Sequence, residues 1–154
     1  MNTILANWTD KQKRLPGMDC IVYPDGEITV LNICRSKNPD TRELKISITP
    51  LCDTTIWSLL KYEKDIWVEV DEWSTLYNEG GYYISGDGTM GNEGFIAKTD
   101  SNNSLLWAIF LTVTNPIKNL NIVDDWLIGK NEHENGIIKI NLKELTDIKY
   151  EILE

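Results

Sequence analysis

The chain has 154 residues and a formal net charge of -9, with six Trp and six Tyr. That length fits one globular domain, residues 1–154, burying roughly 70% of its unfolded surface, and a 42% hydrophobic content argues against disorder. So acidic a field repels phosphate backbones and anionic lipid, which removes nucleic acid and membranes as favoured partners, and it speeds encounter with basic proteins.

The acidity is uneven. Residues 1–45 hold seven Lys/Arg against six Asp/Glu, whereas residues 46–154 hold eight against eighteen. Residues 1–8 lack a basic n-region and a sustained apolar stretch, so no secretory signal is expected. No run approaches the roughly 18 apolar residues of a membrane span. Cys20, Cys34 and Cys52 are odd in number and widely spaced. They predict reduced thiols in a cytoplasm, packed as small buried hydrophobes.

Period-2 alternation dominates the chain from residue 20 onward. Residues 20–23 and 27–34 read as a hairpin around the turn Pro24-Asp25-Gly26. In the second strand Ile28, Val30 and Asn32 share one face, and Leu31 and Ile33 the other. Residues 43–49 alternate with Leu44, Ile46 and Ile48 inward, after a turn at Pro39-Asp40. Ile56, Leu59 and Leu60 then switch to helical spacing behind an Asp53 or Thr54 N-cap. Residues 65–70 return to alternation through Ile66, Val68 and Val70. Residues 82–85 and 94–98 flank a glycine-rich loop. Residues 105–113 form the strongest strand, Trp107, Ile109, Leu111 and Val113 on one face and Leu106, Ala108 and Phe110 on the other. It is expected to be central and covered on both sides.

Asn115-Pro116 ends that strand and fits an N-cap followed by Pro at the first helical position. Ile117, Leu120, Val123 and Leu127 suit a helix behind it. Residues 136–142 and 148–153 read as two further strands. Connections this short leave little room for crossover helices, so the expected class is α+β: one domain, a mainly antiparallel sheet and one or two short helices.

The glycine loop contains a literal G-x-G-x-x-G at Gly86, Gly88 and Gly91, and six of the ten glycines fall within residues 80–94. Its surroundings do not suit a nucleotide. A dinucleotide fold needs the third glycine to open a helix, and Asn92-Glu93-Gly94-Phe95 is a poor helix start. A kinase hairpin needs catalytic and metal-binding stretches further on, and none follows Lys98. The motif reads as a tight structural turn. Asp87 and Glu93 could reach a partner from it, but their spacing misses a calcium loop, and Lys98 stands where the final acid belongs. His133, the only histidine, lies between Glu132 and Glu134 and reads as solvated. No metal-ligand set, no cofactor and no catalytic residues are expected. Carboxylate pairs are numerous but none is flagged by its neighbours.

Residues 63–73 carry the strongest binding signal. With Ile66, Val68 and Val70 inward, Trp67, Glu69 and Asp71 share the opposite face, and Trp73 follows if the strand continues. Together with Glu63 and Asp65 these would form a hot spot for an Arg/Lys-rich partner through ion pairs and cation–π contacts. The competing reading is a second buried layer beneath covering helices. Asp124, Asp125 and Trp126 repeat the composition.

The run Gly86–Phe95, the stretch Leu105-Leu106-Trp107-Ala108-Ile109-Phe110 and the turn Thr114-Asn115-Pro116 together resemble the immunity proteins of bacterial polymorphic-toxin and contact-dependent inhibition systems. The resemblance implies a small cytoplasmic protein that neutralises a toxin domain by binding it directly. It carries over no toxin-contacting residue. The expected function is occlusion of a cognate basic toxin, without catalysis. A small-ligand or carbohydrate-binding domain using exposed Trp, and a carboxylate-dependent hydrolase, are the alternatives. Oligomeric state is not legible.

Overall fold

The computed structural model describes residues 3–153; Met1, Asn2 and Glu154, which the readings of the N-terminus and of one domain include, lie outside the described residues. Two short helices, α1 (Thr3–Ala6) and α2 (Ile56–Tyr62), accompany thirteen strands. The first five are β1 (Arg14–Pro16), β2 (Cys20–Val22), β3 (Glu27–Lys37), β4 (Leu44–Thr55) and β5 (Trp67–Glu69). Then come β6 (Asp71–Asn78), β7 (Gly81–Asp87), β8 (Gly94–Thr99) and β9 (Leu105–Leu111). The chain finishes with β10 (Ile117–Val123), β11 (Trp126–Asn131), β12 (Gly136–Asn141) and β13 (Ile148–Ile152). Every ladder is antiparallel, so the class is α+β, mainly β, with two short helices.

Eleven strands form one sheet in the order β10-β11-β12-β13-β4-β3-β2-β9-β8-β7-β6, with β1 and β5 as a separate pair. The long β3–β4 hairpin is the corner of this sheet. Its first half pairs β2 and its far half pairs β13, and a bulge opposite Val30 and Leu31 lies between. A bulge bends and twists a strand, which lets one hairpin serve both halves. The sheet therefore curls until its terminal strands meet: β10 lies against β6 and β7. Side chains close that seam where no ladder does. Leu120 N–H donates to Ser74 Oγ at 3.4 Å, and Ser85 Oγ donates to the Ile117 carbonyl at 2.8 Å.

Two apolar clusters follow from the curl. The inner one gathers Ile21, Leu31, Ile96, Trp107, Ile109, Leu111, Ile117, Leu127 and Ile140. The outer one lies on the opposite face of the central strands, where α1, α2 and the β1–β5 pair cover Cys20, Val22, Phe95, Ala108 and Phe110. As expected, β9 is central and covered on both sides. Leu106, however, is 41% exposed and Leu105 is buried in its place. Lys98 pairs Trp107 while Thr99 pairs Leu105, so Leu106 is the extra residue of a bulge.

Three expectations need correction. The N-cap of α2 is Thr55, not Asp53 or Thr54, and its side chain accepts from Ser58 N–H. β4 runs to Thr55 because its pairing with β3 extends to Glu27. Residues behind Asn115-Pro116 form strand β10 rather than a helix. Asn115 has φ 62°, whereas an N-cap needs extended φ/ψ. Ile117 and Leu120 both face inward at helical spacing because left-handed Asn119 (φ 56°) bulges the strand between them. Of the three free thiols only Cys20 is a buried hydrophobe; Cys34 and Cys52 are exposed on the corner hairpin. Burial, then the neighbouring Asp19, pushes the Cys20 thiol far up, so it stays a thiol.

No helix among the described residues is long and apolar enough to cross a membrane.

Candidate functional site

The glycine-rich loop, residues 88–93, is a structural turn joining β7 to β8, as the sequence predicts, although Gly86 of the motif lies within β7. Glu93 is its internal brace. The carboxylate is buried and accepts Met90 N–H at 2.9 Å. Asn92 carbonyl accepts Asn115 N–H at 3.0 Å, which fastens the Asn-Pro turn beneath the loop. Gly94 is required there: a Cβ would lie 2.5 Å from both the Asn115 carbonyl oxygen and Thr114 Oγ1. The glycine loop, β9 and the Thr114-Asn115-Pro116 turn thus pack as one contiguous unit. Glu93 does not reach outward as a partner-binding residue. Replacing it with Ala is expected to cost about 1–3 kcal/mol, because Met90 N–H loses its acceptor. Chemical denaturation of the variant measures this.

Asp87, at the end of β7, sits at the exposed side of the same unit. It pairs in register with Asp71, the first residue of β6. Its carboxyl pKa is raised, chiefly by burial and then by the Asp71 charge, with Glu132 adding to the rise. A hydrogen bond from the Trp73 side chain and one from its own backbone N–H oppose this. The Oδ1 atom is buried without a hydrogen-bond partner among the described residues. Trp73 itself is 47% exposed. Glu69 stands next to the junction: Thr89 Oγ1 of the loop donates to its carbonyl at 3.4 Å, and Gln12 Nε2 to its carboxylate at 3.3 Å. Glu69, Asp71, Trp73 and Asp87 therefore share one surface, with Glu132 added from the β11–β12 turn.

The raised pKa has a consequence for stability. A folded state that holds the Asp87 proton more tightly than the unfolded chain loses stability as pH rises from the ordinary value of 3.8 through the folded pKa. At neutral pH the ionised carboxylate is a net cost. Asp87→Asn, which can still accept from Trp73, is expected to melt above the parent at pH 7. The difference should vanish in acid below the ordinary Asp range, and thermal melts across pH test it.

The remaining candidates lie elsewhere. Trp67 is not a free outward face: it is partly buried and packs against the outer cluster, in register with Pro16 of β1. The strand does not continue to Trp73. β5 pairs β1, the next strand pairs β7, and a bulge between Glu72 and Ser74 breaks the parity again. Glu63 and Asp65 rim a separate groove of about 380 Å³ floored by Met18, Leu59 and Val68, beside Tyr62, which is 92% exposed.

Asp124 and Asp125 form the β10–β11 turn, at the far end of β10 and about 20 Å from Ile117 at the rise of an extended strand. Their acidity is offset. Lys143 Nζ lies 3.3 Å from Asp125, and Lys149 Nζ sits 4.9 Å over the Trp126 ring. No cation covers Trp73 and no base pairs Asp71 or Asp87 among the described residues. Sequence reasoning missed β6 as a strand and Glu132 as a member of the junction. Trp73, Thr75 and Tyr77 before Glu79-Gly80, both at positive φ, were the available strand-and-turn signal.

Comparison of the chain with protein-family models, with curated proteins and with solved structures finds no match.

Proposed function

We propose that this protein is an immunity-type binding protein that occludes a cognate, basic bacterial toxin domain in the cytoplasm. The observation that carries the reading is the Asp71–Trp73–Asp87 junction. A half-exposed indole there stands among carboxylates that no base pairs among the described residues, and one of them, Asp87, lies where burial and the Asp71 charge disfavour its charged form. Residues retained against stability mark function more often than packing. An Arg or Lys of the partner would pair the carboxylates and lie against the indole face, supplying the cation that the chain itself withholds. Glu69 and Glu132 extend the acidic rim. Binding blocks the toxin sterically, with acidic side chains standing where its anionic substrate would.

The test is to express the chain with the C-terminal domain of any secreted protein encoded immediately upstream of its gene and to follow association kinetically. A complex whose association slows about tenfold or more at raised salt supports the reading. Absence of a complex, or association indifferent to salt, overturns it.

Asp71 and Asp87 also meet one requirement of a carboxylate-dependent hydrolase, a close pair with one raised pKa. Turnover of a glycan or nucleotide panel that is abolished by Asp87→Asn would favour that second reading.

A further inference from the structure

A second site lies on the outer face of β6–β8, next to the acidic junction, since Glu72 stands between Asp71 and Trp73. Here Glu72 and Thr75 of β6, Tyr82 of β7, Thr99 of β8, Asn103 of the β8–β9 turn and Lys13 before β1 surround a cavity of about 250 Å³. At roughly 30 Å³ per water this space holds about eight waters, smaller than a drug-sized pocket. Thr99 forms its floor. The residue is 1% exposed and its Oγ1 has no hydrogen-bond partner among the described residues. A buried hydroxyl without a partner is costly and asks for a reason. Its direct cross-strand neighbour is Tyr82, which lines the same cavity.

The chemistry of the wall narrows the ligand. Lys13 and Glu72 contribute one positive and one negative charge, so no net field selects an anion or a cation. The Glu72 carboxylate, which accepts from Thr75 Oγ1, and the Asn103 amide are planar groups able to engage two adjacent hydroxyls. Tyr82 lines the cavity and packs edge-on against Tyr77 at 5.5 Å, whose ring, 64% exposed, lies behind it outside the lining. An aromatic platform beside amide, carboxylate, ammonium and hydroxyl groups suits the apolar face and polar edge of a sugar ring.

We propose that this cavity binds a neutral, polyhydroxylated ligand of monosaccharide size, lying against the Tyr82 ring with a hydroxyl on Thr99. The proposal does not rest on the reading of the acidic junction, and each can fail without the other.

The experiment is titration of the isotopically labelled protein with a panel of hexoses, pentoses and N-acetylhexosamines at millimolar concentration, with glycine and acetate as charged probes. Amide shifts confined to Thr99, Asn103 and Glu72 with a sugar are expected. Thr99→Val should raise the melting temperature of the unliganded protein by removing the unpaired hydroxyl, yet weaken sugar binding by about two- to tenfold. Tyr82→Ala should abolish binding. Shifts with glycine or acetate instead, no shift with any probe, or a Thr99→Val variant less stable than the parent overturns the assignment.

Discussion

Replacing Gly86 with Val is expected to destabilise the protein by about 3 kcal/mol, the upper end of what overpacking costs. Even a Cβ at this position would lie 1.8 Å from the Asp71 carbonyl oxygen and 2.9 Å from its carbon. Both are backbone atoms, so no side chain can yield. The strand β6 approaches this closely because it is bulged between Glu72 and Ser74 opposite Gly86 and Ser85. Hydrogen exchange should report loss of protection concentrated in β6, and chemical denaturation the total loss. Gly91→Ala is the control, since nothing lies within 4 Å of its Cβ. It should stay within about 0.5 kcal/mol of the parent. Equal behaviour of the two variants would mean that the close approach is not what holds β6. Because β6 carries Asp71 and Trp73, Gly86, the first glycine of the literal G-x-G-x-x-G, positions the acidic junction.

Trp73→Ala should weaken binding of the cognate basic partner by about 30-fold or more, the 2 kcal/mol or greater loss typical of an aromatic hot spot. Folding stability should fall by about 1–2 kcal/mol, because the indole is half exposed before binding but its hydrogen bond to Asp87 is lost. Trp126→Ala should alter affinity by no more than about threefold, within the near-neutral class of contacts. Its ring already holds Lys149, and its neighbour Asp125 already holds Lys143. Calorimetric titration of both variants separates the two patches that the sequence makes look alike. A larger loss at Trp126 than at Trp73 would move the site to the β10–β11 turn.

The acidic junction was half legible. Asp71, Trp73 and Asp87 stand out by composition, and the structure brings them together. Glu132 could not be foreseen, because its approach to Asp87 depends on the two ends of an eleven-strand sheet meeting. Trp67 and Glu93 were misplaced for a related reason. Each looks outward by its local pattern, yet Trp67 packs partly buried against the outer cluster, and Glu93 turns in to brace its own loop.

The sequence by itself determined the α+β class, the antiparallel pairing, the central two-faced strand β9 and the hairpin around the glycine loop. Those features rest on local alternation and turn residues, which act within a few positions and need no distant partner. Tertiary structure alone decided the rest. Bulges near Val30, Glu72, Leu106 and Asn119 each shift the side-chain parity by one residue, and a strand with a shifted parity can imitate a helix or reverse its faces. Where those extra residues fall is set by how the sheet must bend to close β10 against β6. That closure buries the inner cluster and gathers the carboxylates, and it is a property of the whole curled sheet rather than of any segment in it.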